Sequence, residues 1–183
     1  MKQAITIKTP LTDASCKVLH TGDRVLLTGT IYSARDMAHQ RMAEAISHGN
    51  ALPFPLPGET IFYAGPTPAR PGMPIGAIGP TTSSRMDPFT PTLMEMGLKG
   101  MIGKGIRSSA VREAINRYHG VYFGAIGGIA ALLTQCVREA AWVAYQDLGP
   151  EGIMRLQVLN FPLVVVNDCH GGDLYRERDK YYG

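Results

Sequence analysis

Two stretches of this 183-residue chain gather the residue types that grip a small anion. The first reads Gly79-Pro80-Thr81-Thr82-Ser83-Ser84-Arg85-Met86-Asp87-Pro88; the second reads Gly100-Met101-Ile102-Gly103-Lys104-Gly105-Ile106-Arg107-Ser108. Each brings a glycine-rich turn, small hydroxyl side chains and a cation to the end of an apolar segment. Glycine permits close backbone approach to a ligand. Thr and Ser offer donors and acceptors, Arg a rigid planar fork and Lys a compact charge. A third cation, Arg35, falls in the first turn of an expected helix, where it opposes a dipole that favours anions. Either Arg35 and the free N–H groups share an anionic ligand, or Arg35 is a surface residue paired with Asp36 or Glu44. Together Arg35, Arg85 and Lys104 suit a four-carbon dicarboxylate, since Arg takes a carboxylate bidentately and such charged bonds are about twice as strong as neutral ones.

Other patterns fail on inspection. A phosphate-binding P-loop needs glycine where Leu98 stands and Ser or Thr where Gly105 stands. Gly124-Ala125-Ile126-Gly127-Gly128 lacks the G-x-G-x-x-G of a dinucleotide fold and reads as close packing at a strand-to-helix turn. Asp168 to Asp173 offers two carboxylates and His170, a conceivable hard-metal set. Its Gly171-Gly172 favours a plain turn. Cys16, Cys136 and Cys169 are far apart and form no C-x-x-C, so neither a disulfide framework nor a metal site within this chain is expected.

These residues must be placed by secondary structure. Ala4 to Ile7 alternates as an edge strand, and Arg24 to Ile31 is rich in β-formers. A helix is expected from an N-cap at Ser33, with Ala38, Met42 and Ala45 on one face and a stop at Gly49. The proline-rich region 50–78 reads as loop around one strand, Glu59 to Ala64. Asp87-Pro88 reads as an N-cap and first helical position for a helix ending at Gly97. Further on come a strand over Lys99–Gly103, a helix capped by Ser108 or Ser109, a strand over Val121–Ile126 and an apolar helix over Ile129–Ala140. Strands over Trp142–Tyr145 and Leu163–Asn167 complete the pattern. Strand–helix alternation from 80 to 145 argues for parallel pairing. The fold class is therefore α/β, in a single domain over 1–183.

Composition narrows the function. Hydrophobic content of 45% and charged content of 18% are those of a globular chain able to bury a sizeable core. A net charge of +3 without clustered Lys and Arg points away from nucleic acid and membrane surfaces. No apolar run approaches bilayer length and the N-terminus lacks a signal-like stretch, so a cytoplasmic location is expected.

The run GPTTSSRMDPFTP followed by GMIGKGIRS resembles the C-terminal (beta) part of the class I iron–sulfur fumarate hydratases and their L-tartrate dehydratase relatives. Leu27-Thr28-Gly29-Thr30, Ala34-Arg35-Asp36 with His39, and Phe62-Tyr63-Ala64-Gly65-Pro66 extend the resemblance over nearly the whole chain. It implies a swivelling β/β/α domain, a mixed sheet with flanking helices. It tips Arg35 toward ligand binding and implies that Arg35, Thr81, Thr82, Ser83, Ser84, Arg85 and Lys104 bind substrate, with Thr81 as a proposed catalytic base. A Thr hydroxyl needs a neighbouring charge or base to act so, and the sequence shows none. The resemblance further implies a [4Fe–4S] cluster whose open iron acts as a Lewis acid. Its cysteine ligands would lie in a separate large (alpha) subunit, because Cys16, Cys136 and Cys169 match no cluster pattern. The implied protein is the small subunit of a hetero-oligomeric hydro-lyase interconverting fumarate and (S)-malate, inactive alone. An L-tartrate dehydratase beta subunit and a non-catalytic dicarboxylate-binding module are the alternatives; Arg107-Ser108 leans toward fumarate.

Overall fold

The computed structural model describes residues 3–125 and 130–177. Its elements, in order, are β1 (Ile5–Lys8), α1 (Asp13–Lys17), β2 (Arg24–Ser33), α2 (Asp36–Ser47), β3 (Thr60–Phe62) and a 3-10 turn (Ser83–Met86). Then follow α3 (Thr90–Glu95), β4 (Gly100–Gly103), α4 (Ser109–Arg117), β5 (Val121–Gly124), α5 (Ala130–Gln135), β6 (Val137–Ala144), a second 3-10 segment (Gln146–Glu151) and β7 (Ile153–Asn167).

The strands form one mixed sheet in the order β1-β2-β3-β4-β5-β7-β6, and a further β2–β7 pairing closes β2, β3, β4, β5 and β7 into a five-stranded barrel. β2 through β5 run parallel, whereas β7 is antiparallel to β2, β5 and β6. Closure rests on the length of two strands. β7, with 15 residues, pairs β6 near its start, β5 near its end and β2 between.

The parallel strands are short and buried on both faces. Phe62, Ile102 and Phe123 join Leu27, Ile31 and Phe161 in one apolar cluster. Their neighbours Ile61, Tyr63, Met101 and Tyr122 pack on the other side with Ala38 and Met42 of α2, Leu93 of α3 and Val111 and Ile115 of α4. Successive strand residues point to opposite faces. A strand covered on both sides therefore reads as an unbroken apolar run, which is why Gly100–Gly103 and Val121–Gly124 are buried at every position.

Several expected boundaries move. α2 begins at Asp36 with Arg35 as its N-cap, which makes no side-chain cap bond; Ser33 is instead the last residue of β2. The cap of α3 is Phe89, not Asp87, because the Asp87 carboxylate is engaged by Arg107 and the Ser108 amide. Ser108 does cap α4, accepting from Val111 N. The expected helix to Ala140 ends at Gln135, and Val137–Ala144 is β6 instead. There pairing with β7 overrides the helical preference of the alanines. The expected strand at Leu163 is the last third of β7. Ile126 through Ile129 lie outside the described residues. Asp168 to Gly172 does form a turn, with the Asp168 carboxylate accepting from the amides of Thr21, His170 and Gly172. No described helix is long and apolar enough to cross a membrane.

Candidate active site

The site residues follow the C-terminal ends of parallel strands. Ser33, Phe62 and Ile102 lie in one row across β2, β3 and β4. At roughly 4.8 Å per strand, the row spans about 10 Å from Ser33 to Ile102. Two residues beyond it the chain reaches Arg35 after β2 and Lys104 after β4. In α/β folds, whether open sheets or closed barrels, ligands gather at the carboxyl ends of the parallel strands.

The Thr81–Arg85 segment returns to the same edge and is laced to it by backbone bonds. Thr81 N donates to Tyr63 O at 2.7 Å, Ser83 N to Lys104 O at 2.9 Å and Lys104 N to Thr81 O at 3.3 Å. Thr82 and Lys104 form a parallel bridge. Gly103 explains why the lacing needs glycine: a Cβ there would sit 1.9 Å from Ser83 Oγ and 2.9 Å from Tyr63 Cδ2. Gly105 has φ +89, a left-handed conformation that favours glycine. The Gly-Lys-Gly motif is therefore a seat for the hydroxyl-rich loop, with Lys104 exposed on top.

Within that loop the side chains divide. Thr82, Ser84 and Arg85 are exposed and Thr81 half-buried. Ser83 is fully buried. Its Oγ lies 2.9 Å from Tyr122 Oη, which donates to Gly105 O at 2.9 Å. Ser83 thus fixes the loop from below instead of facing the edge. Burial pushes the Tyr122 hydroxyl's pKa up, so it stays a neutral donor. No base lies within hydrogen-bond distance of the Thr81 hydroxyl among the described residues.

Arg107 is the cation beneath. It is 2% exposed. Its Nε donates to Asp87 Oδ1 at 2.7 Å and its Nη2 to Thr90 Oγ1 at 2.9 Å and Tyr63 Oη at 3.3 Å. Its guanidinium carbon lies 4.8 Å from the Tyr122 ring centroid and 5.2 Å from that of Tyr63. Burial opposes the charge, but Tyr63 and Asp87 outweigh it and raise the Arg107 pKa. The other Asp87 oxygen accepts from Ser108 N at 2.6 Å. One buried ion pair thus joins the end of the hydroxyl loop to the start of α4. Arg107 does not reach the exposed edge, so the lean toward fumarate drawn from Arg107-Ser108 has no contact behind it.

Two of the three cations at the edge, Arg85 and Arg35, are met by a carboxylate. Arg85 Nη2 lies 2.6 Å from Asp36 Oδ2, tying the hydroxyl loop to the first residue of α2. Arg35 Nη2 lies 3.4 Å from Glu151 Oε1. Both expected partners of Arg35, Asp36 and Glu44, are therefore displaced by one 116 residues away in sequence. His39, one turn into α2, is fully buried, with Nδ1 2.8 Å from Arg35 O and Nε2 unpartnered. Desolvation lowers its pKa to about 4, so it is neutral and steers the helix start by a hydrogen bond. Sequence reasoning missed the roles of Asp36, Asp87, Arg107 and Glu151.

The resemblance implies an iron–sulfur cluster. Cys16 is buried, Cys136 and Cys169 half-buried, and all three are free. Desolvation pushes the Cys16 thiol's pKa up to about 12, the reverse of what a thiolate ligand needs. Among the described residues no three His, Cys, Asp or Glu side chains group to hold a metal. The donor set of this chain does not fit a cluster.

The family model described as Fumarase C-terminus matches residues 1–178. Fumarate hydratase 1, mitochondrial, of Leishmania major is 42% identical over 156 residues, 84% of this chain and 28% of that protein. The anaerobic class I fumarate hydratase of Escherichia coli (strain K12) is 40% identical over the same shares. The putative L(+)-tartrate dehydratase subunit beta of Methanocaldococcus jannaschii is 38% identical over 93% of this chain and 90% of that protein. The chain thus spans just over a quarter of the first two relatives and nearly all of the third.

Proposed function

The chain belongs to the Fumarase C-terminus family, and from that premise we propose that it is the small subunit of a class I hydro-lyase that interconverts fumarate and (S)-malate. What supports the reading is the placement of Arg35, Arg85 and Lys104 on segments that leave or return to the same carboxyl end of β2, β3 and β4, with the exposed Thr82 and Ser84 and the half-buried Thr81 on the same loop as Arg85. Two carboxylates of a four-carbon acid need two cations a few ångströms apart, and hydroxyl donors orient the carbon between them. Ser83 serves the same site by holding the loop. Thr81 is the proposed proton acceptor, and its activating base is sought outside this chain.

Removing a proton next to a carboxylate needs an electrophile, which a Lewis-acidic [4Fe–4S] centre supplies when bound. The described donors of this chain do not suit one, so on this reading the cluster belongs to a large partner subunit and the small subunit alone is inactive, the assembled hetero-oligomer being placed in the cytoplasm. The domain over 1–183 is then the swivelling β/β/α unit that the resemblance implies, with its cationic edge serving the dicarboxylate. A beta subunit of L-tartrate dehydratase is the second reading, favoured by the near full-length match to a relative of that name. Anaerobic purification of the tagged chain with its partner, followed by assays of fumarate hydration and L-tartrate dehydration, tests both. Fumarate turnover by the pair and none by the chain alone supports the first reading, and tartrate turnover only replaces it with the second. An inert chain without a partner that still binds dicarboxylates overturns both in favour of a binding module.

A further inference from the structure

We propose that Glu151 is a positioning residue that holds Arg35 in its ligand-ready orientation. The inference rests on the reading of Arg35 as a dicarboxylate contact. Arg35 stands at the N-cap of α2, a helix of 12 residues, and supplies no side-chain cap bond. A cation there faces the positive end of the helix dipole, which repels it within the first turn. Left alone, the guanidinium would swing away from the helix start. Glu151 opposes that swing from a distant part of the chain. One carboxylate oxygen, Oε2, accepts from Met37 N in the first turn of α2 at 3.1 Å. The other, Oε1, lies 3.4 Å from Arg35 Nη2. The carboxylate thus sits between the helix N-terminus and the guanidinium, neutralising the conflict between them.

The contact holds Arg35 without consuming it. At 3.4 Å the pair is an ionic contact, and the Arg35 Nε is buried with no hydrogen-bond partner among the described residues. The Nη groups of this side chain, which is 24% exposed, are left for a carboxylate ligand, which an Arg bound fork-to-fork by Glu151 could not offer. Gly65 completes the clamp. A Cβ there would lie 3.0 Å from Arg35 Cδ, 3.2 Å from Arg35 Nη1 and 2.7 Å from Pro150 O. The arginine is therefore pressed between the chain leaving β3 and the segment that carries Glu151. That segment has the shape to aim one side chain: Tyr145 and Gly149 both take left-handed backbone, and Pro150 precedes Glu151.

The test is a double-mutant cycle in the assembled enzyme, with whichever of fumarate or L-tartrate it turns over. Glu151→Gln keeps the shape and removes the charge. It is expected to raise KM about tenfold and leave kcat within about twofold, since misplacing a binding group loses orientation before chemistry. Arg35→Ala is expected to raise KM further. The double variant should then be no worse than Arg35→Ala, because Glu151 acts only through Arg35. Glu151→Asp, with the charge at shorter reach, should fall between, and it carries the same cycle if the Gln variant does not assemble. Additive losses, or an unchanged KM in both Glu151 variants while Arg35→Ala binds poorly, overturn the role of Glu151 alone. A normal KM in Arg35→Ala, or turnover of neither substrate, overturns the site reading and this inference with it.

Discussion

Replacing Arg107 by Met tests whether a buried cation organises the site from below. Met nearly matches the aliphatic volume but leaves Asp87, whose side chain is 11% exposed, facing a vacated ion pair. Breaking a buried pair by removing one partner costs about 3–5 kcal/mol, because the remaining charge stays desolvated. The lost donors to Thr90 and Tyr63 add to this in the same direction. For a chain of this size each kcal/mol shifts Tm by about 2–4 °C, so the loss should be about 6–20 °C. Urea unfolding of Arg107→Met should show a lower midpoint at unchanged slope. Adding Asp87→Asn removes the orphaned charge while keeping an acceptor for Ser108 N, and should recover about 1 kcal/mol or more. A loss under about 1 kcal/mol, or a double variant worse than the single, would refute the view that this pair joins the hydroxyl loop to α4.

Three further outcomes follow from the geometry. His39 is neutral when folded, with a pKa lowered to about 4 by burial. Between its unfolded value near 6.5 and about 4 the unfolded chain holds the extra proton, so stability falls as pH drops through that window, by on the order of 3 kcal/mol. His39→Asn should flatten that part of the urea-midpoint profile, and an equal slope in both proteins would count against it. Gly103→Ala forces a Cβ to 1.9 Å from Ser83 Oγ. It should destabilise the chain by about 1–3 kcal/mol, as overpacking does, and raise KM in the assembled enzyme; wild-type values for both would show that the loop is not seated there. Thr81→Ala should lower kcat more than it raises KM, whereas the opposite split would leave Thr81 a binding group only.

The α/β class and the parallel β4 and β5 were legible because buried strands are continuous apolar runs, whereas the strand expected over 142–145 belongs to β6, antiparallel to β7, and Gly103, read as close approach to a ligand, instead admits Ser83. β7 was legible only in its last third, although Leu156, Val158 and Phe161 alternate with exposed Arg155, Gln157 and Asn160. Its Pro162 and the left-handed Asn160 disguise the strand. Barrel closure, a matter of which residues β2 and β7 share, has no local signature. The same limit hid the carboxylates of the site. Arg35, Arg85 and Lys104 declare themselves by type and turn chemistry. Glu151 reaches Arg35 across 116 residues, a distance no periodicity encodes. Arg107-Ser108 was read only as a lean toward fumarate, because sequence does not reveal that Arg107 is buried beneath the loop.

The most direct test of the central claim is the KM of the assembled enzyme carrying Arg85→Ala, measured for fumarate by loss of the double-bond absorbance. Arg85 is half exposed and paired with Asp36, so its removal leaves the fold intact while deleting one carboxylate partner. The account predicts a rise in KM of about tenfold or more, equivalent to at least ~1.4 kcal/mol of lost binding, with assembly unchanged. A wild-type KM would contradict the placement of the dicarboxylate at this edge.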